Sequence, residues 1–482
     1  MKKSFLANLS FLIFVNLLIK PFWILGIDRT VQNTLGPEEY GLYFSLFNFS
    51  FLFQVILDFG INNYNNRHIA QDPSRLQQYF STTLIAKLLF GILYTIVVYL
   101  FAFGIRFDTH QLQILGLLII NQIFLSFYIF IRSNISALQF FRTDAVLSVL
   151  DKLISSLICI LILWTTVLPF KISINNFIGA QIIAYIIAGV VGLIALWAHL
   201  KHIQFQFRPE VLREIIRRSL PFAMLTFLMT VYYRIDGVMI ERMLGENGAL
   251  EAGVYASAFR LLDALSILGL MFATILLPMF SRMIHQQEPT QAFAELNFKL
   301  MFFLSVGSGV AFIFYRQQIM SLLYVNATSD YGNIFGLLML SFINISIVYI
   351  FGTLLTANGS LRTLNLIAIG GVIINVVLNL FLIPKYFAAG AAIATVITQL
   401  FVTAAHIYLT YYVMQYKMRI ALWLRAAFFV ILYIGFCFLI YSIPLNWPYQ
   451  LFISMAGSLP LAIVLKILNP SELLPAFRNI KQ

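Results

Sequence analysis

Charge is scarce in this chain. Asp, Glu, Lys and Arg make up 10% of its 482 residues, against about 25% in soluble globular proteins. Thirty-one basic and 19 acidic side chains cannot clothe a water-soluble body of this size. A cytosolic enzyme and a disordered chain are both excluded. Cysteine is nearly absent. Cys159 and Cys437 sit far apart in apolar runs, so neither a disulfide framework nor a cysteine zinc site is available. No P-loop occurs, so no nucleotide hydrolysis is expected. HExxH, Cys-x-x-Cys and EF-hand patterns are missing too, and no cofactor is expected. Of six histidines only His406 lies well inside an apolar run, where a lone histidine most often bonds a neighbouring helix.

What is abundant is apolar surface. Hydrophobic residues are 61% of the chain and Phe alone contributes 47. A bilayer core takes about 20 apolar residues as a helix, and only helices or closed barrels satisfy their own backbone there. The long unbroken runs predict helices. Fourteen spans are expected near 5–28, 40–63, 79–104, 111–133, 144–169, 174–199, 216–240, 251–281, 293–315, 331–357, 362–383, 388–413, 420–442 and 447–468. Lys2, Lys3 and the run after them resemble a signal peptide, but the run is too long and is followed by further spans; it reads as the first span.

Basic residues test this count. With the N-terminus inside, inner segments hold 18 Lys and Arg and outer segments six, with seven inside spans. The bias predicts an N-in, C-in topology. The net charge of +12 then reflects an anionic inner leaflet, and no nucleic-acid partner is expected.

Two stretches repeat. Ile27-Asp28, Leu35-Gly36 and Glu39-Tyr40-Gly41-Leu42-Tyr43 return as Ile235-Asp236, Leu244-Gly245 and Glu251-Ala252-Gly253-Val254-Tyr255. Arg142-Thr143 and Pro169 return as Arg362-Thr363 and Pro384. Spans one to six and seven to twelve therefore read as two copies of one unit. Six is even, so the copies are parallel, a recurring transporter plan. The expected domains are an N-lobe at 1–199, a basic inner linker at 200–215, a C-lobe at 216–415, and two extra spans with a tail at 416–482.

Ionisable groups at bilayer depth cost about 2.5–3.5 kcal/mol each on insertion scales and are functional candidates. Asn16, Lys20 and Trp23 share one stripe of span one at i, i+4, i+7. An amide, a cation and an aromatic plate on one face suit the wall of a cavity for an anionic, sugar-bearing ligand. Lys20 could instead pair with an acid on a neighbouring helix. Thr226, Thr230 and Arg234 form a polar stripe on span seven. Asp236 lies about 200° round from Arg234 and faces a different neighbour. Lys87 on span three could line the cavity or snorkel. Arg260 and Asp263 could serve the cavity or neutralise each other. Asp58 lies near the inner end of span two. Asp58, Asp236 and Asp263 are the candidate coupling or ion-binding groups. Because the deepest groups are basic, an anionic headgroup is favoured.

The chain resembles the oligosaccharide flippases of the multidrug/oligosaccharidyl-lipid/polysaccharide exporter superfamily. The residues that carry the resemblance run from Leu35 to Tyr43, then Leu57-Asp58-Phe59-Gly60, Asp236, Leu244-Gly245, Gly253-Val254-Tyr255, Asn375 to Leu380, Ile383-Pro384 and Gly390 to Thr395. The resemblance implies an all-α polytopic membrane protein with two lobes around a central cavity. It implies a flippase of the bacterial plasma membrane, not an enzyme. Such a protein carries undecaprenyl-diphosphate-linked oligosaccharide from the inner to the outer leaflet by alternating access, for surface polysaccharide synthesis. It also implies a cationic cavity with a basic residue in span one, a place Lys20 fills; Lys87, Arg234 and Arg260 match by type and depth. A proton or sodium ion is a candidate coupling ion, and other polysaccharide-assembly proteins are candidate partners. The alternatives left open are an organic-cation or multidrug antiporter of the same superfamily and a membrane-embedded glycan-modifying enzyme.

Overall fold

A backbone crossing hydrocarbon must satisfy its hydrogen bonds within the segment. The computed structural model meets this with helices. It describes residues 14–468 except 63–64, 66–68, 71, 73–74, 166, 168–170, 201–205 and 418. The start of span one, Lys2, Lys3, Arg67, Pro169, Lys201, Arg478 and Lys481 lie outside the described residues, as does part of the 200–215 linker.

The helices are α1 (Arg29–Leu35), α2 (Pro37–Leu52), α3 (Arg75–Gly104), α4 (Thr109–Ala137), α5 (Phe141–Trp164), α6 (Ile174–Leu200), α7 (Pro209–Met243), α8 (Gly248–His285), α9 (Gln291–Phe314), α10 (Arg316–Leu323), α11 (Ser329–Ala357), α12 (Leu361–Met414), α13 (Ile420–Tyr441) and α14 (Trp447–Val464). Span one reaches α1 through a π-helical stretch, Trp23–Asp28. Eleven of the described helices are long and apolar enough to cross a membrane. The protein is an all-α, multi-pass membrane protein.

The burial pattern is the one a bilayer demands. Along α3, Leu88, Leu89, Ile92, Leu93, Ile96 and Leu100 face outward. Asn48, Asn121, Gln122, Asn375 and Asn379 are buried. Polar groups thus avoid lipid, where unmet hydrogen bonds are costly.

Two helices depart from simple spans. α12 has 54 residues, which as one rod would reach about 80 Å, far beyond a bilayer core of about 30 Å. It is two spans, broken at Phe387 (φ 53°, ψ −136°) just after Pro384, in line with the boundary expected between 383 and 388. Span two, expected as one helix over 40–63, is not continuous. α2 stops at Leu52, a 3-10 turn follows at Gln54–Leu57, and Phe59 and Gly60 take positive φ of 42° and 80°. The chain around Gly60 is crowded as well: a Cβ there would lie 2.7 Å from that of Ser219. The face that Asp58 would share with Asn48, Val55 and Asn62 in a straight helix therefore does not exist.

The helices gather into two compact units, Met1–Gly253 and Val254–Gln482. In the first, α4 packs on α6, α5 on α6, and α7 on α2. The repeated glycines meet there. A Cβ on Gly41 would lie 2.4 Å from the Gly253 nitrogen, and one on Gly253 would collide with the Pro37 carbonyl. Two backbones touch where any side chain would hold them apart.

In the second unit Phe298, Phe302, Val306, Phe351, Leu422, Phe429, Tyr433 and Cys437 form one core. The Tyr433 hydroxyl lies 2.6 Å from Gly307 O and 3.1 Å from Ser454 O, joining α13 to α9 and α14. The two last spans are therefore packed onto the second unit. Both cysteines are buried and free.

Candidate functional site

The stripe read on span one faces α5 and α6 of the first unit. Asn16 Nδ2 donates to Ser148 Oγ at 2.8 Å. The Trp23 ring stacks on Phe177, with centroids 5.7 Å apart and planes 5° from parallel. Lys152 Nζ stands 5.1 Å over that indole. Lys20, half-buried, lies between these anchors.

Around it is a charged and aromatic cluster. Arg132 Nε donates to Asp144 Oδ1 at 2.9 Å. Lys152 Nζ is 3.4 Å from Asp151 Oδ2 and 3.3 Å from the Tyr185 hydroxyl. The Tyr128 hydroxyl donates to Leu147 O, with Asp151 Oδ1 at 3.4 Å. Arg132 rests 5.7 Å over the Tyr128 ring. The charges acting on Lys20 come from Arg132, Asp151, Lys152 and Asp144.

Each carboxylate is thereby matched to one cation, Asp144 to Arg132 and Asp151 to Lys152. Lys20 makes no hydrogen bond or ion pair among the described residues. Three cations against two acids leave a surplus of one positive charge, and it resides on Lys20. An unmatched ammonium at reduced dielectric attracts an anion strongly, and the flanking rings, buried against one another and under Lys152 and Arg132, form a rigid support beside it.

The other candidates fall elsewhere. Lys87, 2% exposed, donates to Asp58 Oδ1 at 2.9 Å, Leu57 O at 3.0 Å and Ser126 Oγ at 3.0 Å. A lysine has three protons to give, and all are engaged. The break in span two makes this possible, because it turns the Leu57 carbonyl away from helical bonding. Lys87 and Asp58 are thus one ion pair.

Arg234 is half-buried on α7, 5.5 Å from the Phe51 ring and 5.2 Å from that of Tyr233. The Thr226 and Thr230 hydroxyls on its stripe return to Phe222 O and Thr226 O. Asp236 is buried on the same helix. Arg260 and Asp263 lie in the second unit, 3.8 Å apart. Among the described residues no group of three metal-ligating side chains occurs.

Sequence reading missed Arg132, Asp144, Tyr128 and Tyr185 as parts of this cluster. A signal was present: Tyr128 and Arg132 stand at i, i+4, and Asp144, Ser148 and Asp151 at i, i+4, i+7, which places each set on one helical face.

The fold is shared with known transporters. It matches a lipid II flippase, MurJ, in an inward closed conformation, with a TM-score of 0.74 at 15% identity, covering 95% of this chain and 98% of that one. It matches a multidrug resistance MATE family transporter of the MOP superfamily in an inward-facing conformation, with a TM-score of 0.62 at 15% identity, covering 80% and 93%. A MOP superfamily transporter from Pyrococcus furiosus, described as having a binding pocket of reverse polarity, gives 0.61 at 15% identity, covering 84% and 95%. No curated protein matches the chain.

The fold is therefore that of MOP-superfamily flippases and transporters. Residues 5–284, more than half of the chain, match the model of a polysaccharide biosynthesis protein family, and the chain belongs to that family.

Proposed function

We propose that this protein is a flippase. It moves an undecaprenyl-diphosphate-linked oligosaccharide from the inner to the outer leaflet of a bacterial plasma membrane, with both termini in the cytoplasm. The observation that carries the reading is Lys20, a cation without an acid inside a wall of aromatic and amide groups. Lys20 holds the diphosphate. Asn16 and Trp23, anchored on Ser148, Phe177 and Lys152, fix its surroundings. Lys87 latches the broken span two through Asp58, and Arg260 is balanced by Asp263.

Family membership supports this reading, because surface polysaccharides are built on lipid carriers that must cross the bilayer. Sugars cannot cross hydrocarbon unaided, since each buried hydroxyl loses hydrogen bonds to water. An alternating-access path shields them while the lipid tail stays in the bilayer. No nucleotide is needed. One charge moved through 100 mV is worth about 2.3 kcal/mol, and a diphosphate carried away from a negative interior gains at least that. A proton or sodium ion bound at Asp236 is the alternative drive.

The test is native mass spectrometry of gently purified protein. A co-purifying polyprenyl-diphosphate glycan, lost in Lys20→Ala, is expected. Retention of organic cations instead, lost in Asp236→Asn and kept in Lys20→Ala, would make the protein a cation antiporter.

A further inference from the structure

The first unit holds a second feature, whose polar edge adjoins the charged cluster around Lys20. An apolar groove of about 650 Å³ runs between α3, α4 and α6, lined by Phe80, Leu84, Phe124, Ile131, Val190 and Trp197 among others. That volume falls in the range of about 300–1,000 Å³ typical of ligand sites. Val190 and Trp197 at its rim are 49% and 66% exposed, on helices that cross the membrane, so the groove opens to hydrocarbon.

Its wall is mostly apolar and offers water little to bind. The rings of Tyr128 and Tyr185 line it, but their hydroxyls point the other way, to Leu147 and Lys152. Buried water needs two to four polar partners. A groove of this size, mainly apolar and open to lipid, suits a hydrocarbon chain.

The polar edge selects the headgroup. Arg132 stands one turn beyond Tyr128, its guanidinium over that ring, and its side chain is 25% exposed. Only Nε is committed, to Asp144. The two Nη groups make no hydrogen bond among the described residues. With Asp144 matched by Arg132 and Asp151 by Lys152, the surplus positive charge of Lys20 lies beside this edge. A planar donor pair next to excess positive charge suits a phosphate. We infer that the groove is a site for an anionic phospholipid of the surrounding bilayer, with its chain in the groove and its phosphate on Arg132. Bulk phospholipid is the occupant because its concentration in the membrane exceeds that of any carrier lipid, and occupancy follows mass action.

Gly189 allows a direct test. It lines the groove, and a Cβ there would meet only Ile131 Cδ1, at 3.8 Å. Gly189→Leu should fill the groove without backbone collision. Ala195→Leu adds similar bulk on an exposed position of the same helix outside the groove. The full chain is released from nanodiscs of equal phosphatidylglycerol and phosphatidylcholine into a native mass spectrometer. The wild type and Ala195→Leu should retain phosphatidylglycerol over phosphatidylcholine by about tenfold, because both phosphates can accept from Arg132 but the choline cation is repelled by the surplus positive charge beside it. Gly189→Leu, checked for fold by circular dichroism, should lose the retained lipid, and Val190→Trp serves if it misfolds. Arg132→Gln should keep a lipid but lose the preference. Equal retention of both lipids by the wild type, unchanged retention in the filled variants, or displacement of phosphatidylglycerol by equimolar polyprenyl phosphate would overturn the assignment.

Discussion

Lys87 Nζ lies 2.9 Å from Asp58 Oδ1 and 3.0 Å from the carbonyl of Leu57, so α3 holds span two at the point where its helix is broken. Removing one partner of a buried ion pair costs about 3–5 kcal/mol, whereas replacing both by apolar groups is often neutral. Asp58 is partly exposed, so the low end applies. Lys87→Met should lower the unfolding midpoint in detergent by several degrees, and Lys87→Met/Asp58→Asn should recover part of the loss. An additive double variant would show that the two side chains do not act as a pair.

The meeting of Gly41 and Gly253 makes a sharper steric prediction. A methyl group on Gly41 would sit far inside van der Waals contact with backbone atoms of Ala249 and Gly253, which cannot swing away as a side chain can. Gly41→Ala should abolish folded protein or cost more than about 3 kcal/mol, beyond an ordinary overpacking penalty. Gly179, on α6, has nothing within 4 Å of its would-be Cβ. Gly179→Ala should be neutral or stabilise by about 0.5–1 kcal/mol, the usual helical gain. Fluorescence-detected gel filtration across a temperature series separates the two.

The balance of three cations and two acids around Lys20 predicts a charge series. Asp144→Asn frees Arg132 and raises the cluster by one charge, and Lys20→Ala lowers it by one. Affinity for a polyprenyl diphosphate should therefore fall in the order Asp144→Asn, wild type, Lys20→Ala. The step to Lys20→Ala should be about tenfold or more, which is about 1.4 kcal/mol. Titration with the lipid in detergent micelles reads the order, and equal affinities would remove the cluster from the binding site.

A charged cargo makes transport voltage-dependent. In liposomes, a potential negative on the side that supplies the substrate should speed movement of the diphosphate lipid toward the opposite leaflet. Reversing the potential should slow it. The bias available is about 2.3 kcal/mol per charge per 100 mV. A rate indifferent to potential but responsive to a proton or sodium gradient would assign the drive to ion coupling.

Much of this architecture was legible in the residues. Apolar runs mark the spans because hydrocarbon leaves the backbone no other solution, and Pro384 marks the boundary within α12 because proline cannot complete a helical ladder. The stripe of Asn16, Lys20 and Trp23 was legible for the same geometric reason, since a helix fixes which residues share a face. The break in span two was not. Phe53 to Phe59 contains no proline, and what bends the chain is the set of bonds that Lys87 and Ser126 offer to Leu57. Periodicity shows which face a side chain takes but not which helix it meets. Hence Lys87 read as lining the cavity or snorkelling, with no pointer to its pairing with Asp58, and nothing in the pattern paired Asp144 with Arg132.

The most direct measurement concerns Lys20 alone. Wild type, Lys20→Arg and Lys20→Ala are reconstituted with a fluorescent short-chain polyprenyl-diphosphate saccharide, and its accessibility to a membrane-impermeant quencher is followed over time. Retained charge should preserve movement, so Lys20→Arg should translocate within a few-fold of the wild type and Lys20→Ala should be slower by about tenfold or more. Undiminished translocation by Lys20→Ala, with the protein folded and inserted, would contradict the assignment of this ammonium as the group that holds the diphosphate.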